Sequence, residues 1–292
     1  MFTFINQHNS MTNKLFILLL SLTFLVTANA QDKYPRLIVR GDDMGFSHAG
    51  NEALIKCYKE GIERSVEVIV PSPWFPEAVK MLAKEPGIDV GVHLALTSEW
   101  ENVKWRPLTY SPSLTDSNGY FYPMIWPNKN YPKQALTEHE WKIEEIEKEL
   151  RAQIELAKRS IANISHVSAH MGCSEMNPEV SELVTKLAKE YSIDIDLQKY
   201  GVKHVGYDGP SATFEQKLKR FIAMLESLKP GQTYMFVDHP ALDGPEMRAI
   251  YHIGYENVAA DRQQVTDVFT SAEVMEVIKR KQIKLISYAD LK

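Results

Sequence analysis

The 292 residues carry 33 Lys and Arg against 38 Asp and Glu, a formal net charge of −5, and 44% are hydrophobic, enough for a sizeable core. This mild acidity, with no basic stripe interleaved with aromatics, argues against a nucleic-acid binder. Two cysteines, Cys57 and Cys173, are too few for a disulfide scaffold. They could pair in an oxidising compartment, but spacing alone says nothing about the geometry a disulfide needs.

The chain begins with the features of a secretory leader. Lys14 precedes an apolar run at 15–26, and Ala28-Asn29-Ala30 follows it. The run is shorter than the roughly 20 residues of a membrane span, and no cysteine stands at the cleavage position for a lipid anchor. The reading is a signal peptide over 1–30 cut after Ala30, a single domain over 31–292, and a secreted or periplasmic protein.

Past the leader, short apolar runs alternate with helical patterns. Strand 37–40 leads to helix 51–60, strand 66–70 to helix 76–85, and strand Asp89–Leu94 to a long irregular stretch. Strand 166–169 precedes helix 178–191, with Asn177 as its N-cap and Pro178 in its first position. A short strand is expected at 193–197. Helix 214–228 then leads to strand 233–237, and helix 272–281 to strand 285–287. Seven strands alternating with helices imply an α/β fold with parallel pairing and crossover helices. Periodicity alone leaves an open sheet and a barrel as alternatives.

Two insertions break the rhythm. Residues 99–131 hold Trp100, Trp105, Tyr110, Tyr120, Tyr122, Trp126 and Tyr131, a poor composition for disorder. Long loops of this kind are commonly functional: the aromatics either stack on sugar rings or fold back onto the rim. Thr137-Glu138-His139-Glu140 reads as a capping box opening a charged helix to about Ile161. The second insertion, 199–213, reads as another rim loop. His8, His48, His139 and His252 show no partner pattern, although His48 lies near the acidic pair described next.

The chemistry concentrates at strand exits. Arg36–Ser47 reads RLIVRGDDMGFS, so an apolar strand delivers Asp42 and Asp43 side by side. Two such carboxylates repel unless a cation or proton intervenes, and one could hold a metal while the other handles protons. His93 interrupts the apolar run Gly91-Val92-His93-Leu94, where a buried structural histidine is the alternative. His166 and His170 share one face of a strand; His170, nearer the exit, is the better ligand and His166 the buried support. Asp238-His239-Pro240 ends another strand, and βα enzymes keep their chemistry at such exits. An Asp with two His suits Zn²⁺, and equally other divalent ions. Activated water attacking a carbonyl or a phosphoryl centre both fit.

At these motifs the chain resembles the YdjC-like carbohydrate deacetylases, relatives of the polysaccharide deacetylases. The segments are Gly41-Asp42-Asp43-Met44-Gly45, Gly91-Val92-His93-Leu94, Ser165-His166-Val167-Ser168-Ala169-His170 and Asp238-His239-Pro240, with Asn51, Gly61, Ser65 and Phe269-Thr270-Ser271 in support. The resemblance implies a distorted (β/α) barrel of about seven parallel strands and one divalent ion, Mg²⁺ or Zn²⁺, on Asp43, His93 and His170. It further implies Asp42 as general base and His239 as general acid, removing acetyl groups from N-acetylated sugars. The chain departs from the family at Ser168, where an Asp is usual, and at Met171-Gly172-Cys173, which puts metal affinity in doubt. The expected partner is an acetylated carbohydrate, with no nucleic acid and no membrane insertion after leader removal; a homodimer is left open. The competing readings are an inactive carbohydrate-binding protein and a metal hydrolase of another bond, such as a phosphoester.

Overall fold

The first strand, β1 (Arg36–Met44), is the spine of the molecule. Its Leu37, Ile38 and Val39 are completely buried, each removal from water contributing roughly 1.5–3 kcal/mol. The computed structural model describes Met1 and residues 33–292, so the expected leader and His8 lie outside the described residues. All the elements below belong to the unit Tyr34–Lys292.

In chain order, β1 is followed by α1 (His48–Glu60), β2 (Ser65–Val68), α2 (Phe75–Leu82) and β3 (Asp89–Leu94). Next come α3 (Ile143–Ser160), β4 (Ile164–Ala169), α4 (Pro178–Glu190) and β5 (Lys203–Val205). The chain ends with α5 (Phe214–Ser227), β6 (Thr233–Asp238), α6 (Pro245–Arg248), α7 (Val258–Phe269), α8 (Ala272–Lys281) and β7 (Lys284–Ile286). The sheet runs β4-β3-β2-β1-β6-β5, with β7 beside the first residues of β1 and every pair parallel.

Period-two alternation sorts the strand residues. Leu37 and Val39 pack outward with Phe221, Phe236 and Phe269, while Ile38 packs with Met235, Ile286 and Tyr288. Asn177 and Pro178 open α4 as expected, the Asn177 side chain accepting from the Glu179 backbone N–H.

Three expectations are corrected. The segment 193–197 is not a strand: Ile193 and Ile195 are buried while Asp194 and Asp196 are not, so its alternation reports burial without pairing. Ile195 instead packs with Ile38 and Met235, and the edge strand is β5, inside the insertion read as a loop. No ladder joins β4 to β5 among the described residues, which is where the barrel is distorted. The capping box at Thr137 does not cap: its hydroxyl donates to the Ile125 carbonyl, and α3 starts at Ile143. Helix α7 has no counterpart among the expected elements. Its inward face includes Arg262 and Thr266, which interrupt the apolar periodicity that would announce a helix.

Among the described residues, no helix is long and apolar enough to cross a membrane. Cys57 and Cys173 are both buried, free thiols, the latter donating to the Leu94 carbonyl at 3.2 Å.

Candidate metal centre

Asp42 and Asp43 do not sit on a loop after the strand; they lie within the last residues of β1 itself. The pairing of β1 with β2 shifts register between Gly41 and Met44, and Asp43 has φ 71, a left-handed conformation that costs a non-glycine residue of order 1 kcal/mol or more. In a regular strand neighbours face opposite sides. The irregular stretch brings both carboxylates to one pocket. Asn51 pins it, its side-chain oxygen accepting from the Gly45 N–H at 2.7 Å.

β3 and the turn directly after β4 supply the histidines. His93 Nε2 lies 3.6 Å from Asp43 Oδ1 and 3.7 Å from Asp42 Oδ2. His170 Nδ1 lies 3.2 Å from the same Asp43 oxygen. Met171 and Gly172, both at positive φ, turn the chain away directly after His170. One ligand atom from each of Asp43, His93 and His170 lies within 4.8 Å of the others. Asp43 Oδ1 is buried and faced by both imidazoles, and its contact with His170 Nδ1 is not a well-aligned hydrogen bond, a position that a cation would fill. The donor set, one carboxylate and two imidazoles, suits a divalent ion.

The two imidazoles differ in their protonation preferences. Burial, opposed by Asp42 and Asp43, lowers the His93 pKa to about 4, so its ring is neutral at physiological pH. Burial also acts against charge on His170, but Glu99 and Asp43 outweigh it and raise the pKa to about 10. A proton therefore sits between two carboxylates where a cation would compete for Nδ1. Burial would raise the Asp43 pKa, yet His239 and Arg262 hold it well below the usual carboxylate range.

Asp42 is gripped from beneath by Arg40, whose Nη2 donates to Oδ2 at 2.8 Å while Nε stands 2.7 Å from Oδ1. His239 leaves the end of β6 beside β1, where Asp238 is in register with Gly41. Its side chain keeps 40% of its exposure. Burial disfavours its charged form, but Asp43 and Asp238 outweigh that and raise its pKa. Tyr207 donates to Asp238 at 2.9 Å.

The structure thus brings Asp42, Asp43, His93, His170 and His239 to one pocket, and places His166 outside it. His166 is completely buried and bonded to Glu67 at 2.5 Å. His48 pairs with Glu77 and is not at the pocket. His252, set aside in the sequence, does line the pocket and stacks near Trp100, centroids 5.5 Å apart.

Of the aromatic insertion, Trp100, Trp105 and Tyr131 are buried, whereas Tyr110 is 83% and Trp126 47% exposed. The loop is mostly folded back, with Trp126 left at the rim beside Gly172.

A family described as YdjC-like protein matches residues 36–280. The chain belongs to the YdjC-like family. A YdjC-like relative, the carbohydrate deacetylase of Thermus thermophilus, is 32% identical over 239 residues, spanning 73% of this chain and 80% of the relative. Carbohydrate deacetylase 1 of Listeria innocua is 26% identical over 267 residues, 88% of this chain and all (100%) of that protein. A crystal structure from Enterococcus faecalis, described as a candidate cellobiose-phosphate cleavage protein, superposes with a TM-score of 0.68. It is 22% identical and covers 88% of this chain and 99% of its own, a likeness of fold.

Sequence reading of this YdjC-like chain missed three partners of the site. Arg262 donates to Asp43 Oδ2 at 2.8 Å, its guanidinium lying over the rings of Phe46 and Trp100 at 4.8 and 5.0 Å. Glu99 meets His170 Nε2 at 2.9 Å. Glu67 accepts from Ser168, whose oxygen also meets His93 Nδ1 at 2.7 Å. The available signal was an acid inside an apolar strand, Val66-Glu67-Val68, since charged residues are seldom fully buried without a partner.

Proposed function

We propose that this YdjC-like protein is a metal-dependent carbohydrate deacetylase, hydrolysing the amide of an N-acetylated sugar to a free amine and acetate. The observation that carries the reading is the convergence of ligand atoms from Asp43, His93 and His170 in the buried pocket that also holds Asp42 and His239. Support comes from family membership and from the names of its relatives.

Asp43, His93 and His170 would hold the ion, Mg²⁺ or Zn²⁺. When bound, it supplies Lewis acidity toward the amide carbonyl and the attacking water. Asp42, fixed in orientation by Arg40, accepts the proton that water gives up. His239, half-exposed at the pocket and with its pKa raised, against burial, by Asp43 and Asp238, delivers a proton to the departing nitrogen. Arg262 and Glu99 hold Asp43 and His170 in place, so the donors are preorganised before substrate arrives. The leader over 1–30, with cleavage after Ala30, would carry the enzyme to a secreted or periplasmic location where polymeric glycans are met.

The test is acetate release from a panel of N-acetylated oligosaccharides, before and after chelation, beside phosphate release from sugar phosphates. Acetate that appears only with metal, and falls by about 10²–10⁴-fold in Asp42→Asn with metal still bound, supports the assignment. Sugar binding without acetate release identifies an inactive binding protein. Phosphate release alone identifies a hydrolase of a different bond.

A further inference from the structure

Three strands carry a polar row beneath the pocket, and its middle member has no side chain. Glu67 on β2 pairs in register with Gly91 on β3, and Gly91 pairs with His166 on β4. A Cβ at Gly91 would collide with both the Glu67 carboxylate and His166 Nε2. The glycine therefore opens a passage through which Glu67, itself completely buried, reaches across to β4. There one carboxylate oxygen meets His166 Nε2 at 2.5 Å, and the other accepts a short hydrogen bond from the Ser168 hydroxyl.

Ser168 lies in register with His93, and its Oγ is 2.7 Å from His93 Nδ1. The direction of this second bond follows from the first. A serine has one proton to give, and it goes to Glu67, because an ionised carboxylate can only accept. The Ser168 oxygen must then accept from His93, which places the ring proton on Nδ1. The lone pair is left on Nε2, the nitrogen facing Asp43 at 3.6 Å.

We propose that Glu67 is the positioning carboxylate of the metal centre, acting through the Ser168 hydroxyl to fix the ring orientation and tautomer of His93. This rests on the metal-centre reading above and adds to it a residue that touches neither ion nor substrate. Metal-bound histidines commonly give their second ring N–H to a carboxylate, and losing that support costs about 10–100-fold in metal affinity. Here the carboxylate is one hydroxyl further away, on a different strand.

The test uses the purified, metal-stripped protein and titrates it calorimetrically with Zn²⁺ alone, and in parallel with Mg²⁺ alone. Glu67→Gln and Ser168→Ala should each weaken binding of whichever ion the wild type holds by about 10–100-fold. Ser168→Asp puts a carboxylate directly against His93 Nδ1, so in the Glu67→Gln background it should bring affinity back to within a fewfold of wild type. A purely structural role for Glu67 predicts a lower metal-free melting temperature with unchanged affinity and no such recovery. Wild-type affinity in folded Ser168→Ala overturns the proposal, as does a double variant no better than Glu67→Gln. If Glu67→Gln fails to fold, Ser168→Ala decides, since it leaves Glu67 and its contact with His166 in place. His93→Ala separates the two readings. If wild type binds neither ion, the metal centre falls and takes Glu67's role with it; if binding is lost in His93→Ala yet untouched in Ser168→Ala, only Glu67's role falls.

Discussion

Asp43 concentrates the problem this molecule has to solve. One of its oxygens is held by Arg262, while the other is buried, makes no well-aligned hydrogen bond and is faced by two imidazoles. Replacing His93 or His170 by alanine should abolish stoichiometric metal in elemental analysis, because two of three protein donors rarely retain a divalent ion. Full metal content in both variants would refute the ligand set. Glu67 makes a prediction about acid. Burial would raise its pKa, but His166 and Arg40 outweigh that and depress it from 4.5 to about 2. A depressed carboxylate contributes stability that is complete above its unfolded pKa and is lost as pH falls through its folded one. Wild type should therefore exceed Glu67→Gln in stability at neutral pH, with the gap closing between pH 4.5 and about 2. Urea midpoints measured across that window check it; a gap that widens toward acid would be the wrong sign.

At the scale of elements, the strand exits set the geometry and the loops set the rim. Asp43 and His93 are the next-to-last residues of β1 and β3, and His170 directly follows β4; register shifts at Gly41/Met44 and at Val90/Gly91 and the left-handed pair Met171 and Gly172 break the regular geometry of these segments. The insertion 99–131 was open between two readings, and burial divides it. Trp100 and Trp105 are part of the core, so removing the loop would remove core packing. Trp126 is different: half-exposed, it lies beside Gly172, the chain neighbour of the pocket residue Met171. In the proposed reaction its indole offers a flat face to a sugar ring away from the reacting bond. Trp126→Ala should then raise KM about tenfold with little change in kcat, the signature of binding shared by ground and transition states. Steady-state kinetics on oligosaccharides of increasing length measure this, and a fall in kcat with unchanged KM would place Trp126 in another role.

For the whole molecule, the proposed ion adds a link between β1, β3 and the turn after β4, where Asp43, His93 and His170 cluster. Binding to the folded state alone stabilises by about 2.7 kcal/mol at a free concentration one hundred times Kd. The melting temperature should rise on adding metal and fall on chelation, and His93→Ala should show neither change. Differential scanning calorimetry provides the comparison, and a chelator-independent wild-type melting temperature would contradict the proposal.

Much of this was legible in the chain. The parallel α/β alternation and most elements followed from local periodicity, because strands buried on both faces read as apolar runs whatever they pair with. Asp42, Asp43, His93, His170 and His239 stood out because a polar group ending an apolar run has few structural excuses. Ile193 and Ile195 misled for the same reason: alternation reports which side is buried, and pairing is a property of two segments. Arg262 and Glu99 gave no sign of being site residues, since each lies far along the chain from the group it touches, and Glu67 showed only as an acid inside an apolar strand, with its partner unnamed. The hydroxyl of Ser168, which read as the loss of a carboxylate, became a link to one only when β2 came to lie two strands from β4. Local sequence determined which segments are strands and which residues end them; the tertiary structure decided which charges meet, because electrostatic and hydrogen-bond partners are chosen by distance in space.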